Sequence, residues 1–340
     1  MKYTFASDNT AGICPEAWQA MAAANEDFQS SYGDDDLTRA ACDAFRRFFE
    51  TDCDVYFVFN GTAANSLALA TICSSYHSII TTDEAHCEKD ECGAPGFFSH
   101  GARVLTVRSP GGKLDPADAG RLISHRTDVH FSKPGAISIS NSTELGTTYR
   151  PEEIRALSVL ARRNGLSLQM DGARFFNALA GLGCAPADIT WRAGLDVLCC
   201  GGTKLGMSAA EAVVFFNRSL GEDFAYRCKQ AGQLCSKMRF MSAQWLGILT
   251  GGVWRKHAEN GNRLARRLAE KLGALPGVSI LYPVDANAVF ARLPDGIKEG
   301  LKGCGWKFYS FIGGGSRFMC SWNTSEQDVD ALVADASAAL

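Results

Sequence analysis

The sequence predicts an α/β protein, a mainly parallel sheet flanked by helices, followed by a smaller C-terminal α+β domain. Three observations carry that prediction. Short apolar runs rich in β-branched and aromatic residues recur as far as Phe216, and helix-like segments lie between them. Such alternation is the pattern of a sheet whose strands are covered by helices on both faces. After Arg218 the pattern changes to long helical stretches, and past Gly277 to a few short strands and a final helix.

The elements follow in order. Asp54 to Phe59 reads as the first buried strand, with a helix from Ala63 to Ser74 behind it. His77 to Thr81, Ala102 to Val107 and Ala136 to Ser140 are further strands. Pro151-Glu152-Glu153 opens a helix that runs to Asn164. Proline suits a first helical turn, where the missing N–H has no partner to lose, and Asn164-Gly165 can end the helix. Leu166 to Met170, Leu195 to Cys200 and Ala212 to Phe216 complete the strands of the large sheet. The expected division is a large domain over 1–244, with an N-terminal arm, and a small domain over 245–340. The small domain is expected to carry a helix from His257 to Leu272 and strands near Val289-Phe290-Ala291, Phe308-Tyr309 and Arg317 to Cys320. A helix from Glu326 to Leu340 closes it.

Composition excludes several classes. The chain has 340 residues, 46% of them hydrophobic and 21% charged, which is ordinary for a globular protein of two domains. A net charge of −3 offers no basic footprint for nucleic acid or an anionic membrane. No run approaches the roughly 18 apolar residues of a membrane span. Met1 to Asp8 lacks the apolar core of a secretory leader, so a cytoplasmic location is expected. Thirteen cysteines, an odd number without secretory context, argue against a disulfide framework. Cys87 and Cys92 do not have zinc-ligand spacing, so no metal site is expected and most cysteines read as small buried apolar groups.

The chemistry begins at two strand ends. Leu166-Ser167-Leu168-Gln169-Met170 runs into Asp171-Gly172-Ala173-Arg174, and Leu195 to Leu198 leads through Cys199-Cys200-Gly201-Gly202 to Thr203-Lys204. A strand-borne aspartate and a later lysine are the minimal equipment for pyridoxal phosphate. The lysine forms the Schiff base, and the carboxylate keeps the ring nitrogen protonated so that the ring accepts electrons. Each is an ordinary turn when taken alone. Asn60-Gly61-Thr62-Ala63-Ala64-Asn65 follows the first strand and opens a helix, where free N–H groups and the Thr62 hydroxyl can hold a phosphate. Ligands of open α/β sheets gather at the carboxyl ends of strands, and Gly61, Asp171 and Lys204 all fall there.

The full ordered set is more specific. Ser7-Asp8-Asn9, Tyr32-Gly33-Asp34-Asp35, Asn60-Gly61-Thr62, His86, Gly112-Lys113-Leu114, Asp128-Val129-His130-Phe131, Asp171 to Arg174 and Thr203-Lys204 resemble the L-threonine aldolases, over nearly the whole chain. Those are fold-type-I pyridoxal-phosphate enzymes grouped with the β-eliminating lyases. Two stretches depart from the usual pattern: Gly232 to Arg239 stands where many members have Gly-Gly-Gly-Met-Arg-Gln, and Cys87-Glu88-Lys89-Asp90 follows His86 in place of apolar and aromatic residues.

The resemblance implies pyridoxal 5′-phosphate as cofactor and retro-aldol cleavage of β-hydroxy-α-amino acids to glycine and an aldehyde. By resemblance Lys204 carries the cofactor, Asp171 pairs with its ring nitrogen, His86 stacks on it, and Gly61, Thr62, Thr203 and Arg174 complete its binding. Ser7, Arg174 and Arg317 would hold the substrate carboxylate. His130 would lie near the substrate hydroxyl, with His86 or His130 as base, and Tyr32 would arrive from a neighbouring subunit of a homodimer or homotetramer. Another reaction of the same fold type, such as serine hydroxymethyl transfer, β-elimination or transamination, remains open from the residues. So do a non-catalytic cofactor-binding role and, less favoured, nucleotide binding at the Gly61 turn.

Overall fold

The computed structural model describes residues 1–310 and 314–340. Seven strands form the main sheet: β1 (Asp54–Val58), β2 (His77–Thr82), β3 (Arg103–Val107), β4 (Lys133–Ser140), β5 (Ser167–Gly172), β6 (Val197–Gly201) and β7 (Glu211–Phe215). Their order is β1-β7-β6-β5-β4-β2-β3. The pairs from β6 across to β3 are parallel, and only β7, between β6 and β1, runs against the rest. The carboxyl ends of β1, β2, β4, β5 and β6 therefore share one rim, as the alternation of runs and helices predicts.

Side chains alternate across each strand, and the burial follows. In β6, Leu198 and Cys200 face a core built with Phe45, Phe49, Phe175, Phe176 and Trp245. Val197 and Cys199 face the opposite core, with Leu67, Leu69, Phe215 and Phe224. Because both faces are covered, β6 and β7 are buried throughout, which explains why they read as unbroken apolar runs. The helix Gly61–Ile72 starts where Asn60 accepts the N–H of Ala63 at 2.8 Å. The helix Pro151–Arg163 starts on its proline, as expected.

The second, antiparallel sheet has the order β10-β9-β8, from β8 (Ser279–Ile280), β9 (Ala288–Arg292) and β10 (Ser316–Met319). Helices Val253–Gly273, Asp295–Gly303 and Glu326–Ser337 cover it around Leu264, Leu268, Val289, Trp306 and Phe318. Phe5 joins this core, and the Met319 N–H donates to its carbonyl at 3.0 Å, so the N-terminal arm docks on the small domain. The expected boundary at 244/245 falls inside the helix Arg239–Leu249. Trp245 is fully buried against Phe45, 4.8 Å between ring centroids, and belongs to the large core. The chain breaks instead at Gly251-Gly252, whose φ values of +63° and +74° end one helix and start the next. Phe308-Tyr309, expected as a strand, contributes a single bridge from Tyr309 to Arg317. All thirteen cysteines are free, and most are buried. Among the described residues no helix is long and apolar enough to cross a membrane.

Candidate active site

Asp171 ends β5 on the rim, and its carboxylate is held from two sides. Oδ1 accepts the Ala173 N–H at 2.9 Å, and Oδ2 accepts the Asn65 amide at 2.8 Å. One strand away, Lys204 follows β6 in a short turn whose tightness depends on Gly202. A Cβ there would overlap the Ala210 carbonyl, the Met207 sulfur and the Trp245 ring. Buried Glu211 fixes the same turn by accepting the Gly202 N–H at 3.0 Å and the Thr203 N–H at 3.4 Å. Among the described residues Lys204 Nζ has no hydrogen-bond partner. Burial, and then the Arg174 guanidinium, pull its amine below the usual lysine range. A less protonated amine is the better nucleophile.

His86 opens a short helical turn after β2 and lies at the end of a relay. Its Nδ1 lies 2.9 Å from Glu91 Oε1, which also accepts the Asn65 amide at 2.9 Å, and Asn65 in turn reaches Asp171. The hydrogen bond it makes to Glu91 raises the histidine, and burial raises Glu91 itself. Both directions agree: the pair holds its proton tightly, and the ring is fixed in orientation.

The anion-binding side comes from three distant segments. Arg174 makes a bidentate pair with buried Asp8, Nε to Oδ2 at 2.7 Å and Nη2 to Oδ1 at 2.9 Å. That leaves Nη1 for the cavity. Arg317, from β10, lies with Cζ 4.9 Å from the Tyr309 ring centroid, and its buried Nε has no hydrogen-bond partner among the described residues. Burial and the neighbouring Arg174 pull it down to about 10. Ser7, Asn9, His86, Glu144, Arg174, Lys204 and Arg317 line one cavity of about 410 Å³. A larger groove of about 1110 Å³ runs between Arg108–Lys113 and Tyr282–Asp285, but neither Asp171 nor Lys204 lines it.

Most of the sequence-predicted residues therefore meet. Ser7, His86, Arg174, Lys204 and Arg317 share the cavity, with Asp171 behind His86 and Thr203 beside Lys204. Gly61 and Thr62 open their helix at the end of β1, on the same rim, and nothing lies within 4 Å of the Cβ position of Gly61. Two residues lie elsewhere. Tyr32 is 45% exposed under Lys229, outside the cavity of its own chain. His130 lies outside the cavity of its own chain: it is exposed in the turn before β4, its N–H donating to Asp128 Oδ1 at 3.1 Å. β4 carries eight residues at about 3.3 Å each, so His130 sits about 25 Å from the rim of its own chain. A residue at the amino end of a parallel strand faces away from the ligand edge. Sequence reasoning missed Asn65, Glu91, Glu144 and Glu211, and missed Asp8 as the anchor of Arg174. The one available signal was Asn65, a large polar residue on a mostly apolar helix.

A carboxylate at one parallel strand end, beside an amine left short of partners at the next, is how fold-type-I lyases are arranged, and this chain is one. The profile of the beta-eliminating lyase family matches residues 4–295, and the chain belongs to that family. Within it the chain is similar to the threonine aldolases. It is 56% identical over 337 residues to the low specificity L-threonine aldolase of a Pseudomonas species, covering 99% of this chain and 97% of that one. The Pseudomonas aeruginosa enzyme of the same name is 55% identical over 332 residues, 97% of this chain and 96% of the relative. Among solved structures, a Leishmania major threonine aldolase superposes with a TM-score of 0.93 at 28% identity, covering 99% of both chains. A Sphingomonas wittichii serine palmitoyltransferase shares the fold alone, with a TM-score of 0.73 at 14% identity over 98% of this chain and 86% of that one.

Proposed function

We propose that this chain is a pyridoxal 5′-phosphate-dependent carbon–carbon lyase. It splits L-threonine, L-allo-threonine and related L-β-hydroxy-α-amino acids, phenylserine among them, into glycine and an aldehyde. The observation that carries the reading is one cavity lined by Lys204, Arg174 and Arg317, with Asp171 beside His86 at its wall, and no hydrogen-bond partner for Lys204 Nζ among the described residues.

The residues present fit the cofactor. Lys204 supplies the amine for covalent attachment, Asp171 a carboxylate for the ring nitrogen, and His86 a fixed ring to stack on it. Asn60 accepts the N–H of Ala63 and, through its carbonyl, that of Ala64. Among the described residues the Gly61 and Thr62 N–H groups have no hydrogen-bond partner, and they suit a phosphate. Thr203 and Arg174 complete the set. When bound, the cofactor supplies an electron sink for the pair left on Cα.

The chain's own groups do the positioning. Arg174, with Asp8 behind it, and Arg317 grip the substrate carboxylate, while Ser7 adds a hydroxyl. Fixing the carboxylate fixes the torsion about the Cα–N bond, and so which bond at Cα stands ready to break. A β-hydroxyl makes that bond Cα–Cβ, because its oxygen can become the aldehyde carbonyl.

A homodimer or homotetramer completes the site in this reading. Phe59, next to the Asn60 turn, is 59% exposed, and Phe28 and Tyr32 are exposed as well. A second copy over this rim would bury them and is the route by which Tyr32 or His130 can reach a substrate. The test of the whole reading is covalent. Borohydride should fix pyridoxal phosphate to the Lys204 peptide, read by mass spectrometry. Attachment elsewhere, or none, would reject it.

A further inference from the structure

Glu144 belongs to no motif that points to the site, yet it forms part of the cavity wall. It stands in the loop after β4 and lines the cavity with His86, Arg174 and Lys204. Its Oε1 is occupied, accepting the His86 N–H at 2.9 Å and the Ser140 hydroxyl at 2.6 Å. Its Oε2 is buried and has no hydrogen-bond partner among the described residues. Leaving a buried acceptor unpaired costs about 1–3 kcal/mol, so a fold that keeps one at the wall of a binding cavity is keeping it for what enters.

We propose that Glu144 is the general base for the substrate's β-hydroxyl, resting on the aldolase reading above. As Cα–Cβ breaks, its electron pair stays with Cα. The hydroxyl O–H pair becomes the second bond of the aldehyde carbonyl, and the proton passes to Glu144 Oε2. Water then gives a proton to Cα, completing glycine, and Glu144 returns its own proton to the hydroxide left behind. Atoms and charge balance with water alone.

Other groups in the site are less suited. His86 Nδ1 is committed to Glu91, and His130 does not reach the cavity of its own chain. Burial, reinforced by the Asp171 carboxylate, also pushes the Glu144 carboxyl upward against the bond from Ser140. A carboxylate shifted upward is a stronger base than an exposed one.

The test uses Glu144→Gln in the holoenzyme, which keeps the shape and an acceptor for His86 and Ser140 but cannot take a proton. L-Threonine cleavage should fall at least about 100-fold. Exchange of the glycine α-hydrogen with deuterated solvent involves no β-hydroxyl. It should stay within about threefold, as should the pyridoxal phosphate dissociation constant. Parallel loss of exchange and cleavage, or undiminished cleavage, overturns the assignment. Should the glutamine variant not fold, Glu144→Asp keeps the carboxylate one methylene short. It should lose cleavage about tenfold or more with exchange preserved, and equal losses again overturn the assignment. Wild-type enzyme that exchanges glycine but releases no aldehyde from threonine rejects the aldolase reading itself.

Discussion

Arg174 and Asp8 are joined by two parallel hydrogen bonds across 166 residues of sequence, tying the N-terminal arm to the end of β5. The pair makes the arm part of the site. Asn287 of the small domain also donates to Asp8 Oδ2, at 3.2 Å, so three segments converge on one carboxylate.

Asp8→Asn should therefore act on substrate binding more than on the chemical step. A neutral amide presents Arg174 with one acceptor instead of two, and frees the guanidinium to rotate. KM for L-threonine should rise about tenfold or more, the worth of a charge-assisted bond of about 1.5–3 kcal/mol, with a smaller change in kcat. The pH dependence has a fixed sign. Burial would raise the Asp8 carboxyl, but Arg174 wins and holds it below its usual 3.8. Its contribution is present above that value and is lost as pH falls through the lower folded value. Acid unfolding of Asp8→Asn should accordingly be shallower than that of the wild type.

Glu211 should give the opposite trend. Burial pushes this carboxyl from 4.5 up to about 7, against hydrogen bonds from Thr203 and Gly202 and the charge of Lys204. A raised acid stabilises the fold most when protonated, so its contribution is whole below 4.5 and drains away as pH climbs to about 7. The loss is on the order of 3 kcal/mol. Urea unfolding at pH 5 and pH 8 should show that difference shrinking in Glu211→Gln; an unchanged difference would assign the pH dependence to other groups.

Gly202→Ala tests the turn that presents Lys204. The added methyl overlaps backbone at Ala210, which cannot swing aside. Stability should drop by about 2 kcal/mol or more, with reduced cofactor loading at a fixed pyridoxal phosphate concentration. Normal loading and melting temperature would mean that the turn adapts freely.

Arg317→Met should trade function against stability. The guanidinium is largely buried, with an Nε unpartnered among the described residues and Arg174 as a like-charged neighbour. Removing it should raise the melting temperature of the unliganded enzyme while kcat/KM for threonine falls about 100-fold. A variant less stable than wild type would mean that stacking on Tyr309 outweighs the buried charge.

The sheet was legible because its central strands are buried on both faces and so read as continuous apolar runs. Asp171 and Lys204 were legible because each ends such a run, where the topology gathers ligands. The place of His130 was not legible, because it rested on resemblance, which says nothing about which end of β4 the residue occupies or which copy of the chain it serves. Glu144 and Glu211 were invisible: a loop without periodicity and a strand's first residue carry no signal of burial. The exact boundary near residue 245 was not legible because a buried tryptophan on a helix looks alike whichever core receives it, whereas Gly251-Gly252 marks a helix break by conformation.

The central claim is that this site breaks Cα–Cβ of a β-hydroxy amino acid. Its most direct test is product analysis of the holoenzyme incubated with L-threonine. The account predicts glycine and acetaldehyde in equal amounts, abolished by Lys204→Ala. A keto acid with ammonia, or an amino-group transfer product without aldehyde, would contradict it.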